Sequence, residues 1–491
     1  MTRQTGVPSH GWQYASANAA ARAIRSRQIS SLELTKLLLD RIEKLNPKIN
    51  AIVTVTADEA LRRAAQADAA LAAGKNWGPL HGVPCTIKDV FETRGVRTTS
   101  AAPFLKDYVP KQDATSVARM RDAGMVMLGK TNMPRMAADV QSYSDLFPTA
   151  NNPWDLSRTP GGSTGGGAAA TAAGLGFLAL GSDIGGSIRI PASFCGIFGH
   201  KPSYGVVPTR GHIPPPPGTT LAPPDLGVVG PLARTASDLA MALRVLGGPE
   251  APDAIAYRWA LPPARKKSIR EYRMRYALEH PLCAVDADVK QQLQAGVDAL
   301  RKAGAEIEEG FPDDIDVAGQ YKAYLHLLWS AAPPASSSEE RDRIVALTPP
   351  PDDLVMTGAK RAMQGSYAQW AEANERRYAL RAQWRKYFSQ YDAFLMPTCF
   401  VPAFPHDHSP DWWDRVLRTA GGPRRYMDFL FWSSFATVSG LPATVAPVGF
   451  TPNHLPVGMQ ILGPWLEDAT CIFVAESLEP AFGFHVPKGF E

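Results

Sequence analysis

One long stretch of the chain, residues 159–182, carries no charged side chain and consists mostly of Gly, Ala, Ser and Thr. Its large apolar residues are Leu175, Phe177, Leu178 and Leu180. A segment this weakly apolar does not partition into lipid, so a membrane span is not expected. The stretch predicts instead a tightly packed helix followed by a buried strand.

Helical and strand-like segments alternate along most of the chain. A helix with a capping box at Ser30 and Glu33 is expected to stop at Asn46 and Pro47, and an alanine-rich helix is expected over residues 58–73. The strand-like segments include VPCTIKDV, MVMLGK, LGFLALGS, ATVAPVGF and PVGMQILGP. This alternation predicts an α/β fold in which helices cover both faces of a central, twisted, mixed and largely parallel sheet.

Residues 1–491 are expected to form a single domain whose core lies at residues 75–250. Residues 250–430 differ in character because polar helices are joined there by proline-rich loops. No clean linker separates them, so they are interpreted as a helical elaboration and substrate rim of the same domain.

Composition excludes several classes of function. Lys and Arg total 51 against 47 Asp and Glu, a net charge of +4, which is too balanced for a nucleic-acid-binding protein. The N-terminal stretch has no continuous apolar segment, so a secretory signal is not expected. Scattered cysteines without C-x-x-C spacing predict reduced thiols in a cytoplasmic protein and no zinc site. They are Cys85, Cys195, Cys283, Cys399 and Cys471.

Residues 124–131, GMVMLGKT, match the phosphate-binding pattern G-x-x-x-x-G-K-[ST]. A true phosphate loop follows a strand, whereas here Met125 to Leu128 are themselves strand-like and a helix precedes Gly124. We therefore do not expect nucleotide binding, and Lys130 is interpreted as a solvated or loop-pairing lysine.

The segment GSDIGGSIRIP at residues 181–191 has two glycines directly before Ser187. Such glycines can cradle a phosphate, or can let backbone N–H groups converge on the oxyanion of an acyl transfer. A serine nucleophile needs a base, and the histidines at 81, 406 and 408 have sequence contexts typical of structural residues. Lys88 ends an apolar strand, where burial or a neighbouring charge would have to lower its pKa by about 3 units, or about 4 kcal/mol, to make it a neutral base.

Three motifs, PLHGVPCTIKD, TPGGSTGGGAAATAAG and GSDIGGSIRIPASFCGIFGHKPSYG, together closely resemble the amidase signature family of serine hydrolases. The resemblance extends from about residue 30 to 480 and is weakest between 250 and 430. It implies Ser187 as the acyl-forming nucleophile, Ser163 as the bridging serine and Lys88 as the base. In that family a cis peptide precedes the bridging serine, and Gly162 lessens crowding there.

The resemblance also implies the surroundings of these residues. The N–H groups of Ile184, Gly185, Gly186 and Ser187 are expected to form the oxyanion hole. Asp183 and Arg189 match family positions that support this loop, and we expect them to be structural. Neither a cofactor nor a metal is implied.

The function so implied is hydrolysis of amide C–N bonds through an acyl-enzyme, with small-molecule amides or carbamates as partners. We expect bulky apolar or aryl amides, with esterase and carbamate (urethane) hydrolase activity in addition. Aromatic segments 391–400 and 425–436 are equally typical of a substrate pocket and of ordinary core. The proline-rich stretch 208–224 is expected to cover the site, with Arg210 and His212 at its rim.

Two other functions stay open. One is the A-type component of an amidotransferase of the same family, which would release ammonia from glutamine and work with a partner subunit on misacylated transfer RNA. The other is a catalytically inactive binding module on the same scaffold. The oligomeric state cannot be read from the sequence.

Overall fold

A computed structural model describes residues 11–217, 222–331, 338–419 and 421–491. Residues 1–10, where the N-terminal stretch begins, and residues 218–221 of the proline-rich stretch lie outside the described residues.

The described helices are α1 (Ala17–Arg25), α2 (Ser31–Ile49), α3 (Ala57–Ala72), α4 (Thr115–Asp122), α5 (Gly165–Ala172), α6 (Arg189–Cys195), α7 (Ala236–Leu246), α8 (Ala287–Lys302), α9 (Val317–Ala331), α10 (Ser338–Ala346), α11 (Leu354–Met363), α12 (Tyr367–Phe388), α13 (Phe429–Val438) and α14 (Asp468–Phe482). The described strands are β1 (Ile52–Val55), β2 (Pro84–Lys88), β3 (Val126–Thr131), β4 (Leu178–Asp183), β5 (Phe198–Lys201), β6 (Val228–Ala233), β7 (Arg273–Tyr276), β8 (Glu306–Glu309), β9 (Ala393–Pro397), β10 (Val416–Thr419), β11 (Gly422–Arg425), β12 (Ala443–Phe450) and β13 (Pro456–Leu462). None of these helices is long and apolar enough to cross a bilayer.

Among the described residues, eleven strands form one sheet in the order β1-β3-β2-β4-β6-β5-β12-β13-β9-β7-β8. Strand β2 is parallel to β3 and β4, and β7 is parallel to β8 and β9, whereas the other neighbouring pairs are antiparallel. The expected mixed α/β sheet is confirmed, with its parallel pairs in two groups and antiparallel pairs between them.

The charge-free stretch folds into α5 and then β4, as predicted, and every residue of both elements is buried. Small side chains are required here because the backbones approach closely. A Cβ on Gly166 would lie 2.5 Å from the backbone nitrogen of Asn132. The parallel pairing of β2 with β4 places the carboxyl ends of these two strands side by side, and the candidate site is built there.

Helix α2 begins at the predicted capping box but runs through Pro47 to Ile49, so its predicted end was wrong. Pro47 lies in the last turn, and the helix ends where Asn50 adopts a left-handed conformation with φ of 47°. The side chain of Asn46 also bonds to both backbone polar groups of Ile52, which fixes the exit of the chain.

The phosphate-loop pattern is a strand, as expected, because Gly129 and Lys130 lie inside β3. Of the two interpretations of Lys130, pairing with a loop is confirmed and solvation was wrong. Lys130 is fully buried, donates hydrogen bonds to the Phe91 carbonyl and the hydroxyls of Thr93 and Thr98, and lies 3.6 Å from Asp89.

Residues 250–430 contribute strands as well as helices. Strand β9 pairs with β13, and β7 and β8 extend the sheet beyond it. Most of the aromatic segment 391–400 is therefore buried core around β9.

Candidate active site

Lys88 is the last residue of β2, and its side chain is completely buried. Its Nζ lies 2.7 Å from the hydroxyl of Ser163 and 3.2 Å from the hydroxyl of Ser182 on the adjacent strand β4. Ser182 was not foreseen from the sequence. The structure therefore places two serine hydroxyls on the one amine.

Burial lowers the pKa of Lys88 to about 7, against an opposing effect of the Asp183 carboxylate. Two other buried lysines also have lowered pKa values, about 7 for Lys201 and about 8 for Lys130, with burial as the main cause in both. Lys201 donates to the Pro202 carbonyl and has no recorded serine contact in the described part of the chain. The contact with Ser163 thus distinguishes Lys88 from Lys130 and Lys201.

Ser163 follows a cis peptide bond from Gly162 and precedes α5. A Cβ on Gly162 would lie 2.6 Å from both the backbone nitrogen and the carbonyl oxygen of Gln141, so no larger residue fits there. The next residue, Thr164, donates its N–H to the carbonyl of Ser187 at 3.1 Å. This bond joins the Ser163 segment to residues 183–188, which we call the nucleophile loop.

Asp183 and Arg189 form a fully buried ion pair with two contacts, of 2.7 and 3.0 Å. Asp183 also accepts the N–H groups of Gly186 and Ile188, both at 3.0 Å. Burial would raise the pKa of the Asp183 carboxyl, but Arg189 and the N–H group of Ile188 lower it to about 2. The loop is thus folded around a charged carboxylate.

The N–H groups of the nucleophile loop are not all equally available. That of Gly186 donates to Asp183 in this structure, although it was expected in the oxyanion hole. For Ile184, Gly185 and Ser187 no acceptor of the N–H is recorded within the described residues. These three groups are the candidate donors to an oxyanion.

Ser163 and Ser187 both line a cavity of about 420 Å³. The segment 425–436 supplies part of its apolar wall. The contributions of Trp412 and of the last turn of α9, which includes Trp329, were not foreseen from the sequence. The principal apolar lining residues are Met136, Val140, Pro214, Pro215, Val229, Leu328, Trp329, Trp412, Met427, Phe429 and Leu430. No group of three or more His, Cys, Asp or Glu side chains in the described ranges is placed to hold a metal ion.

The two expected rim residues differ. His212 lines the cavity, where burial and then the charge of Lys88 lower its pKa to about 4, and its Nδ1 lies 2.9 Å from the Pro214 carbonyl. Arg210 is not among the residues that line the cavity, and its assignment to the rim stays a prediction. Its side chain is 63% exposed and pairs with Glu250 at 3.0 Å.

A sequence model of the family described as Amidase matches residues 33–472. The chain belongs to the amidase family. It is 33% identical to the A-type component of the glutamyl-tRNA(Gln) amidotransferase of Carboxydothermus hydrogenoformans, a member that matches over 96% of this chain and 98% of its own length.

Solved structures of the amidase family share the fold. The corresponding A-type component of the Thermotoga maritima glutamyl-tRNA(Gln) amidotransferase superposes with a TM-score of 0.77 at 27% identity, over 98% of this chain and 99% of that one. A bacterial aryl acylamidase of the amidase signature family superposes with a TM-score of 0.79 at 25% identity, over 95% of this chain and 96% of that one. The α/β fold of the amidase signature enzymes is confirmed.

Proposed function

We propose that this member of the amidase family hydrolyses amides through an acyl-enzyme on Ser187, with Ser163 as the bridging serine and Lys88 as the base. The observation that carries the proposal is the 2.7 Å contact between the buried Lys88 amine and Ser163, which shares a cavity with Ser187.

The protons balance along this chain of groups. Neutral Lys88 takes the proton of Ser163, which takes the proton of Ser187 as its Oγ bonds to the substrate carbonyl carbon. The three candidate N–H donors of the nucleophile loop hold the oxyanion. When the C–N bond breaks, Ser163 returns a proton to the departing nitrogen, and water then repeats the attack to free the acid and Ser187.

The lining of the cavity supports a bulky, largely apolar substrate. No lysine or arginine is among its described lining residues. Its carboxylates are paired with arginines that are not lining residues: Asp139 with Arg415, Asp183 with Arg189, and Asp225 with Arg377. An anionic substrate would lose its hydration on entering this cavity and would find no cation in the described part of the wall to replace it. Aryl amides, aryl esters and aryl carbamates need only an apolar wall and the same carbonyl chemistry, and the similarity to an aryl acylamidase agrees with this.

A second candidate is favoured by the sequence comparison. A relative 33% identical over 96% of the chain is the A-type component of a glutamyl-tRNA(Gln) amidotransferase, which supports a glutamine amidase working with partner subunits more strongly than it supports an aryl amidase. The same Ser187 chemistry would release ammonia from glutamine.

A substrate panel separates the two candidates. We expect p-nitroanilides and aryl carbamates to be hydrolysed with kcat/KM at least about 10-fold above that for glutamine or acetamide, since each apolar group buried on binding contributes about 1 kcal/mol or more. The assay is steady-state hydrolysis of each compound by the same preparation, with Ser187→Ala as the blank. A preference for glutamine would reject the aryl substrate and support the amidotransferase function.

The pH profile tests the base. Below pH 7 Lys88 is largely the ammonium and cannot accept a proton, so kcat/KM should rise with pH through an apparent pKa near 7. His212, with a pKa of about 4, does not titrate in that range. The rise, measured from about pH 5 to pH 10, should persist in His212→Gln and His81→Gln. Its disappearance in either variant would assign the base to that histidine.

A further inference from the structure

Helix α9 lies outside the three sequence motifs, yet one of its side chains reaches the nucleophile loop. The hydroxyl of Tyr324 donates a hydrogen bond of 3.1 Å to the carbonyl oxygen of Ile184. Tyr324 is completely buried. This bond joins residues that are 140 positions apart in the chain.

The carbonyl of Ile184 belongs to the same peptide unit as the N–H of Gly185. Because that unit is planar and trans, its C=O and N–H point in opposite directions. A hydrogen bond that fixes the oxygen therefore also fixes the direction of the Gly185 N–H. That N–H is one of the three without a recorded acceptor among the described residues.

This peptide unit needs a restraint from outside the loop. Gly185 and Gly186 follow it, and glycine permits a wide range of backbone angles, with Gly186 at φ of 100°. The peptide unit that carries the Ser187 N–H is restrained locally, because the Gly186 carbonyl accepts the N–H of Ile190 at 2.7 Å. For the Gly185 N–H, the corresponding restraint comes from Tyr324.

We propose that Tyr324 is a positioning residue of the oxyanion hole, holding the Ile184–Gly185 peptide so that the Gly185 N–H faces the oxyanion of the tetrahedral intermediate. The proposal rests on the proposed acyl-enzyme at Ser187. Tyr324 thereby takes part in the chemistry although it is not among the residues that line the cavity.

Two further observations agree with this role. A Cβ on Gly185 would lie 3.6 Å from the Tyr324 hydroxyl and 3.2 Å from Leu430, so the peptide is closely surrounded. Burial raises the pKa of Tyr324 above its usual range, and the hydroxyl remains a donor throughout the assay range. Donation to the carbonyl also polarises the peptide, which strengthens its N–H as a donor.

The test compares Tyr324→Phe with Tyr321→Phe. Tyr321 lies one turn earlier on α9, is also buried, and packs edge-on against Phe431. We expect Tyr324→Phe to lower kcat by about 10- to 100-fold with KM changed less than about 2-fold, because the lost restraint weakens one oxyanion donor. The control should stay within about 2-fold of wild type in both constants.

The inhibition constant of a trifluoromethyl ketone supplies a second measurement, which would not change if Tyr324 had only a structural role. The ketone forms a tetrahedral adduct with the nucleophilic serine, so its inhibition constant should rise in Tyr324→Phe by the factor that kcat/KM falls. An unreactive amide analogue should bind the wild type and Tyr324→Phe equally. Equal kcat in the two tyrosine variants, or an unchanged ketone constant in Tyr324→Phe, would overturn the proposal.

Loss of fold is detected separately by thermal unfolding of the two variants. Failure of the proposed function would look different, since Ser187→Ala would then bind the ketone as tightly as wild type. If Ser187→Ala loses the ketone and Tyr324→Phe does not, Ser187 is the nucleophile and Tyr324 is not its positioning residue.

Discussion

Ser187→Ala is expected to lower kcat for amides by about 10⁵- to 10⁶-fold, because removing a nucleophilic serine removes the covalent route entirely. The substitution deletes one oxygen from a residue that is 7% exposed. The protein should therefore unfold at nearly the wild-type temperature. Amide hydrolysis and thermal unfolding, measured on one preparation, check both halves of the expectation.

A matched control for this variant is Ser434→Ala. Ser434 is also buried, but its hydroxyl bonds to the Phe431 carbonyl within α13, and it is not among the residues lining the cavity. We expect its kcat to stay within about 3-fold of wild type. Comparable losses in both variants would mean that the effect is structural and that Ser187 is not the nucleophile.

Lys88→Met is expected to lower kcat for amides by about 10³- to 10⁴-fold, since proton transfer is lost both in the attack and in the departure of the amine. Methionine fills the buried volume better than alanine and carries no charge. Activated aryl esters should retain slow hydrolysis because their leaving groups need no proton. The ratio of ester to amide turnover should therefore rise sharply in this variant.

Lys201→Met is the control for the Lys88 variant. Lys201 is buried and has a similarly lowered pKa, but it bonds to the Pro202 carbonyl. Its loss should leave the ester-to-amide ratio unchanged. A rise in that ratio for Lys201→Met, or full amidase activity in Lys88→Met, would remove Lys88 from the proposed mechanism.

The elements around the site were predictable because their sequence patterns are local. The capping box begins a helix, the charge-free stretch forms a helix and a strand, and the short apolar segments form strands, as predicted. Strands β7 and β8 were missed because RMRY and EIEE do not have the apolar pattern of a buried strand. Met274, Tyr276 and Ile307 of these two strands are nevertheless buried in the core. Between the buried positions, Arg273 pairs with Glu306 and Arg275 with Glu308 across the strands, each at 3.2 Å.

The residues of the candidate site likewise divide into those that local motifs predict and those that only the tertiary fold brings together. Lys88, Ser163 and Ser187 stand in motifs that can be read along the chain. The contact of Ser182 with Lys88 depends on the parallel register of β2 and β4, which no local pattern specifies. Tyr324 comes from a helix in the region where the resemblance is weakest, and the ion pair of Arg210 with Glu250 joins residues that are distant in sequence.

The central claim, an acyl-enzyme on Ser187, is tested most directly by trapping that species. An aryl carbamate should release its phenol in a burst and leave a carbamoyl group on the enzyme, because deacylation of a carbamoyl ester is slow. Peptide mapping by mass spectrometry of the quenched enzyme should find this mass on the peptide that contains Ser187, and not in Ser187→Ala. A carbamoyl group on another residue, or hydrolysis that proceeds unchanged in Ser187→Ala, would contradict the account.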